Sequence, residues 1–195
     1  MGAPAPGILL YEQLIACYSE PHRAYHTLQH LEECFEKLKE IEDHAQHLGE
    51  VELALWFHDA VYDTRASDNE ARSAQWAAEF LALHGTPEEE ARDVDRAILA
   101  TRHGEPPSTS DEALVVDLDL CILGSDDATY AAFEDAIRAE YLWVPLSIFR
   151  AKRAEILEGF VTRSAIYHHP GIRAQRESRA RENVTTTIAR LRGSG

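Results

Sequence analysis

The sequence predicts an all-α fold, a single helical bundle that spans residues 1–195. Apolar residues recur three or four positions apart through most of the chain, which is the period of an amphipathic helix. Glycine, proline and short polar runs separate these segments at spacings typical of helix lengths. The segment LVVDLDL at 114–120 has the propensity of a strand, but its neighbours are helical and a lone strand would have no partner.

Three helices are predicted in the first third of the chain. Residues 8–18 form a short amphipathic segment. Residues 25–48 keep the same apolar spacing, and Gly49 is expected to stop that helix. Residues 51–62 are apolar almost all round, which indicates a buried central helix.

Capping signals and loops place the remaining helices. Ser67 with Glu70 fits a capping box, and Thr86 followed by Pro87 fits the start of the next helix. The stretches GEPPSTS and IYHHPGI are predicted loops. The helices predicted in these regions are 69–84, 88–103, 111–123, 128–143, 146–161 and 177–191.

Composition restricts the classes of partner. The formal net charge of −15 repels phosphate backbones and anionic lipid surfaces, so neither nucleic acid nor a membrane is an expected partner. A small phosphorylated ligand held through a metal ion is compatible with this charge, because a bound cation dominates its local field. Three widely spaced cysteines without a CxxC pair, and no recognisable signal peptide, predict a cytoplasmic protein with reduced thiols.

The end of the predicted central helix carries an unusual polar pair. His58 and Asp59 follow an apolar run, where a buried charge is costly unless it is paired or bound to a metal. Adjacent helical residues point about 100° apart, so they do not share a face. They are suited instead to bind the same ion in a cleft between helices.

Two further helices offer ligands of the same kind. His30 belongs to the stretch HTLQH, and Asp117 and Asp119 lie within the apolar run VVDLDLCIL. Imidazole nitrogen together with carboxylate oxygen suits Mn²⁺, Fe²⁺, Ni²⁺ or Zn²⁺ better than Ca²⁺. A zinc protease does not fit, because HTLQH lacks the glutamate that directly follows the first histidine in such enzymes.

An ordered set of short motifs gives the chain a family resemblance. The motifs are YHTLQH, HDAVYD, NEARSA, DLDLCILG, IRAEY and ARENV, at helical spacings. They resemble the small bacterial phosphohydrolases of the HD-domain superfamily, whose signature is His…His-Asp…Asp. The resemblance covers most of the chain, residues 18–191. It implies a single HD-domain helical bundle and a metal-dependent phosphohydrolase.

The resemblance also assigns roles to individual residues. It implies one divalent metal ion, with Mn favoured over Fe, Ni, Zn or Mg, and it selects Asp119 over Asp117 as the fourth ligand. Asp59 and Asp63 are the implied catalytic residues, although alarmone hydrolases of the superfamily have a Glu-Asp pair where this chain has Tyr62 and Asp63. The implied metal ligands are His30, His58, Asp59 and Asp119, and the implied substrate-binding residues are His26, Arg23 and His103. For His26, binding of a second metal is the alternative to contact with phosphate.

The function that follows from the resemblance is hydrolysis of a nucleotide or a related small phosphate ester by a metal-activated water. Two alternatives stay open. One is a metal- or nucleotide-binding sensor with little turnover, and the other is a hydrolase of alarmones or cyclic nucleotides. The expected partner is a small phosphorylated substrate, and the expected assembly is a monomer or a homodimer.

Overall fold

A computed structural model of the chain describes residues 6–193, and all regular structure in that range is helical, as predicted. In the same range, no helix has both the length and the apolar composition that crossing a lipid bilayer needs. The helices are α1 Pro6–Tyr18, α2 Leu28–Ile41, α3 Leu48–Phe57, α4 Asn69–Leu83, α5 Glu88–Ala100, α6 Ser110–Asp119, α7 Asp127–Glu140, α8 Leu146–Val161 and α9 Pro170–Gly193, with 3₁₀ turns at Glu42–His44 and Leu120–Gly124.

The chain packs as two compact units, one up to Val116 and one from Asp117, and the boundary falls within α6. In the first unit, α3 packs against α2, α4 and α5. The side chains of Leu55, Phe57 and Ile98 are fully buried there. Burial of each such side chain contributes about 1.5–3 kcal/mol. The buried, central position predicted for α3 is therefore confirmed, while the organisation as a single domain stays a prediction.

In the second unit, α9 packs against both α8 and the 3₁₀ turn Leu120–Gly124, which also contacts α7. Asn183 on α9 ties this turn down, since its Nδ2 atom donates hydrogen bonds to the carbonyl oxygens of Leu123 and Ser125, at 2.9 and 3.0 Å. The carbonyl groups at the end of the turn are thereby satisfied although the helix stops.

Gly124 allows α9 to approach this turn closely. A Cβ atom at Gly124 would lie 2.7 Å from Arg176 Cβ and 3.0 Å from both Arg176 O and Tyr167 Oη. We expect Gly124→Ala to lower the free energy of unfolding by about 1–3 kcal/mol, because the neighbouring backbone has to shift. Urea unfolding followed by circular dichroism measures this change.

Gly159→Ala is the matched control. Gly159 is an exposed residue of α8, and a Cβ atom there would meet nothing within 4 Å. Alanine favours a helix over glycine by about 0.5–1 kcal/mol, so this variant should be at least as stable as the wild type. Equal stability of the two alanine variants would contradict the steric role of Gly124.

The predicted helix stop at Gly49 is wrong, because Gly49 lies in the first turn of α3. The preceding helix already ends at Ile41. The carboxylate of Asp111 accepts hydrogen bonds from the backbone N–H groups of Gln46 and His47, at 2.9 and 2.8 Å. This contact, between residues more than 60 positions apart in the chain, fixes the start of α3 ahead of the glycine.

Two later helices begin where predicted, at Asn69 and Glu88, but the predicted capping boxes are not formed, and the predicted start of the last helix is wrong. α4 begins after Asp68 and α5 after Pro87, and neither capping residue makes a side-chain hydrogen bond to its helix. The carboxylate of Glu70 lies instead 3.7 Å from Arg102 Nε. α9 begins at Pro170, well before the predicted start, in keeping with the preference of proline for the first helical position.

Candidate metal centre

His30 reaches the protein interior from the first turn of α2. The helix starts after Thr27, whose backbone is extended, with φ −113° and ψ 179°. The buried face of α2 then consists of His30, Leu31, Cys34 and Leu38, which recur at helical spacing. Because His30 is only 2% exposed, its imidazole is held by the packing around it.

His58 directly follows α3, and a backbone carbonyl orients its imidazole. The Nδ1 atom lies 2.7 Å from the carbonyl oxygen of Leu55, and the side chain is fully buried. Since a carbonyl oxygen only accepts hydrogen bonds, Nδ1 carries the proton. The neutral ring then presents the lone pair of Nε2, which is the form in which histidine binds a metal.

Four possible ligand atoms converge at this point. His58 Nε2 lies 3.2 Å from His30 Nε2 and 3.1 Å from Asp59 Oδ2, and His30 Nε2 lies 3.7 Å from the same carboxylate oxygen. Asp119, the last residue of α6, completes the group, in which the ligand atoms all lie within 4.8 Å of one another. The two histidines are buried, and the two aspartates are partly exposed.

The donor set fits a divalent metal ion. Such ions bind imidazole nitrogen and carboxylate oxygen at about 2.0–2.2 Å, which places neighbouring ligand atoms about 3.0–3.5 Å apart. The separations between the three donors of the first unit, at 3.1, 3.2 and 3.7 Å, lie in or near this range. Two carboxylates also balance the double positive charge. The predicted group of four residues can hold a metal ion, and the identity of the metal stays a prediction.

Asp117 has a different environment from Asp119. Its carboxylate is fully buried and accepts hydrogen bonds from the backbone N–H groups of His168, at 2.9 and 2.8 Å, and of His169, at 2.6 Å. Burial raises the pKa of Asp117 to about 6, and the two N–H groups act against that rise. Asp117 thus anchors the segment before α9 and is not one of the four residues of the metal group.

His26 lies beside the metal group, in the turn that precedes α2. The centre of its ring is 6.0 Å from the centre of the His30 ring and 4.3 Å from that of Tyr62. This placement is compatible with the predicted contact to substrate. The substrate-binding role itself stays a prediction.

Two predicted site residues are not members of the metal group that the described residues form. Asp63 is exposed, and its Oδ1 atom accepts a hydrogen bond from the N–H group of Arg65, at 2.9 Å. Asn69 binds both the N–H and the carbonyl of Asp63, so these contacts shape the turn before α4. His103 follows α5 with a φ of 55°, a left-handed conformation that is uncommon for residues other than glycine. The catalytic role of Asp63 and the substrate contact of His103 stay predictions.

Arg23 was predicted to bind substrate, but its side chain is buried and contacts the main chain. Its side chain has 0% exposure, and its guanidinium donates hydrogen bonds to the main-chain carbonyls of His26, Asp59 and Ala60. These contacts were not predicted from the sequence. The arginine within PHRAYH was visible, but two of its partners lie 36 and 37 positions further along the chain.

The chain matches no protein-family model, no curated protein and no solved structure. Membership of the HD-domain superfamily therefore stays a prediction from the motifs. The chemistry and geometry of the metal group are the observations that bear on function.

Proposed function

We propose that the protein is a divalent-metal-dependent phosphohydrolase that acts on a nucleotide or a related small phosphate ester. The observation that supports this proposal most directly is the group His30, His58, Asp59 and Asp119, whose ligand atoms lie within 4.8 Å of one another. The order of these residues, His…His-Asp…Asp, is also the signature of the phosphohydrolases that the motifs resemble.

The residues around the group suit this chemistry. The four residues of the group would hold the ion, which when bound supplies Lewis-acid polarisation and a water of lowered pKa. The partial exposure of Asp59 and Asp119 gives a phosphate access to the group from solvent. His26, next to His30, is suited to donate a hydrogen bond to a phosphate oxygen, and Asp63 is the proposed proton acceptor.

The charge of the protein supports a small substrate. A net charge of −15 repels an extended polyphosphate such as a nucleic acid, whose binding requires many basic contacts. A single phosphate group at a metal site experiences mainly the local positive charge. A nucleotide or a similar small ester is therefore favoured over a polymer.

We expect protein stripped with EDTA and reloaded with Mn²⁺ to release phosphate from members of a panel of nucleotides and simple phosphate esters. Asp59→Asn keeps the shape of the side chain but removes one of the charges that balance the ion. Turnover should fall on the order of 100-fold or more, since even residues that only support a ligand cost 10- to 100-fold when replaced. Colorimetric phosphate release measures the effect.

Asp135→Asn, an exposed position on α7, controls for the chemical change itself and should retain full turnover. Equal turnover in the Asp59→Asn and Asp135→Asn proteins would reject the proposed site. Stoichiometric metal binding without phosphate release from any compound of the panel would favour the sensor alternative.

A further inference from the structure

The guanidinium of Arg23 is buried and held by four hydrogen bonds. Burial of this charged group is unfavourable unless its charge and its N–H groups are matched. The Nε atom lies 3.0 Å from Glu20 Oε2, and Nη1 donates to the carbonyl oxygens of Asp59 and His26, at 2.7 and 3.1 Å. Nη2 donates to the carbonyl oxygen of Ala60, at 3.1 Å. The planar group is thereby fixed in one orientation.

Two tyrosine rings also hold the guanidinium in place. Arg23 Cζ lies 5.2 Å from the ring centre of Tyr18 and 5.2 Å from that of Tyr62, within the range of cation–π attraction. Tyr18 is itself fixed, since it is only 1% exposed and its hydroxyl donates to the carbonyl oxygen of Trp56, at 3.2 Å. A surface arginine that moves to meet a substrate would have no such support.

The turn after α3 depends on these hydrogen bonds. A helix that stops leaves carbonyl groups without partners inside the helix. Arg23 binds the carbonyls of Asp59 and Ala60, and Ser73 Oγ accepts a hydrogen bond from the N–H group of Val61, at 3.0 Å. These contacts take the place of helical hydrogen bonds, and the side chain of Asp59 leaves this turn toward His58 Nε2.

The same guanidinium also reaches the segment that leads into α2. It binds the carbonyl of His26, only four residues before His30. We infer that Arg23 is a positioning residue for the metal group. It joins the main chain before His30 to the main chain at Asp59, so that the donor atoms of the two segments meet at distances one ion can bridge. The inference rests on the metal site of the proposed function but does not require hydrolysis.

Arg23→Lys tests the inference, because lysine keeps the positive charge but lacks the planar set of N–H groups. Co²⁺ is titrated into the EDTA-stripped protein, its affinity is measured by competition with a chelator, and the visible absorption spectrum is recorded. We expect the affinity for Co²⁺ to fall by about 10- to 100-fold, as for other residues that orient metal ligands. The visible bands should also change, because they report the arrangement of ligands around the ion. Helix content by circular dichroism should be retained.

Arg181→Lys is the matched control. Arg181, in the second unit, likewise pairs with a carboxylate, that of Glu177, at 2.7 Å. It also donates to the carbonyl oxygens of Val161 and Arg163, at 2.9 and 2.8 Å. Its replacement removes the same kind of hydrogen bonds, and the affinity and spectrum of Co²⁺ should stay those of the wild type. If Arg23→Lys behaves like Arg181→Lys in both measurements, the inference is overturned.

If Arg23→Lys does not fold, a less disruptive variant, Glu20→Gln, tests the same inference. Glu20→Gln weakens the hydrogen bond to Arg23 Nε, because the acceptor loses its negative charge. The Glu20 side chain is 42% exposed, so the fold should tolerate the change. Affinity for Co²⁺ should fall by about 3- to 10-fold, less than for direct loss of a supporting residue. An unchanged affinity in this variant would overturn the inference.

The role predicted from sequence is a contact between Arg23 and the phosphate of the substrate. That role leads to different expected affinities for Co²⁺ and for phosphate. The Arg23→Lys protein would then keep the wild-type affinity for Co²⁺, while the Co²⁺-loaded protein would bind inorganic phosphate more weakly. That result also overturns the inference. Because the test needs only Co²⁺, it stays decisive even if no phosphate ester is hydrolysed.

Discussion

His58→Ala is expected to leave the protein without its metal ion, whereas the wild type should carry one ion per chain after reloading. The Nε2 atom of His58 lies within 3.2 Å of both His30 Nε2 and Asp59 Oδ2, so it is common to the two shortest separations among these three residues. Its loss should cost more than the roughly 10- to 100-fold in affinity that follows from removing a supporting residue. Elemental analysis after desalting measures the occupancy.

His84→Ala is the control for this experiment. His84 is exposed, and its Nδ1 atom makes the same kind of contact, 2.7 Å from the carbonyl oxygen of Phe80. This variant should keep full occupancy. If His58→Ala is poorly folded, His58→Gln, which retains more of the side-chain volume, repeats the measurement. Occupancy in the His58 variants equal to that of His84→Ala would show that the assigned site is wrong.

The fold class was predictable because helical periodicity is a local property of the sequence. The predicted range 146–161 coincides with α8, where the buried residues Phe149, Leu157 and Phe160 recur at helical spacing after Pro145. The segment 114–120, with the local propensity of a strand, lies in α6 and the 3₁₀ turn that follows. Its neighbours in the chain indicated its structure better than its own composition did.

Helix boundaries were predicted less well because contacts distant in sequence decide them. The predicted central helix extended to Tyr62, but α3 ends at Phe57, where Arg23 and Ser73 bind the main chain beyond it. The start of the same helix depends on Asp111, which no local pattern indicates. Local propensity describes where a helix is favourable, and such tertiary hydrogen bonds determine where it ends.

The candidate site was predictable to the extent that its residues conflict with their surroundings. His58 and Asp59 stood out because polar residues at the end of an apolar run need partners. The choice between Asp117 and Asp119 could be made only by resemblance, since both lie in the same apolar run. What separates them physically is the presence of the N–H groups of His168 and His169 at Asp117, about 50 residues further on.

Asp119→Asn should weaken metal binding without weakening the metal-free fold. The substitution keeps the shape of the side chain but removes one of the two negative charges in the group. Affinity for Mn²⁺ should fall by at least about 10- to 100-fold. Asp119 is partly exposed and lies in a group with a second carboxylate, that of Asp59, so loss of its charge also relieves a repulsion when no metal is bound. The free energy of unfolding of the metal-free protein should therefore not decrease.

Asp117→Asn should have the opposite effects, a less stable metal-free fold and a nearly unchanged affinity for the metal. An amide in place of the carboxylate keeps one accepting oxygen but turns an NH₂ group toward an N–H group of His168 or His169, and full burial prevents water from replacing the lost bond. The free energy of unfolding should fall by about 1–3 kcal/mol, while affinity for Mn²⁺ stays near that of the wild type. Mn²⁺ titration of both stripped variants, with urea unfolding of the metal-free proteins, measures the two quantities. Weaker Mn²⁺ binding in Asp117→Asn than in Asp119→Asn would move the fourth ligand to Asp117, because loss of the carboxylate that binds the ion directly should cost the most affinity.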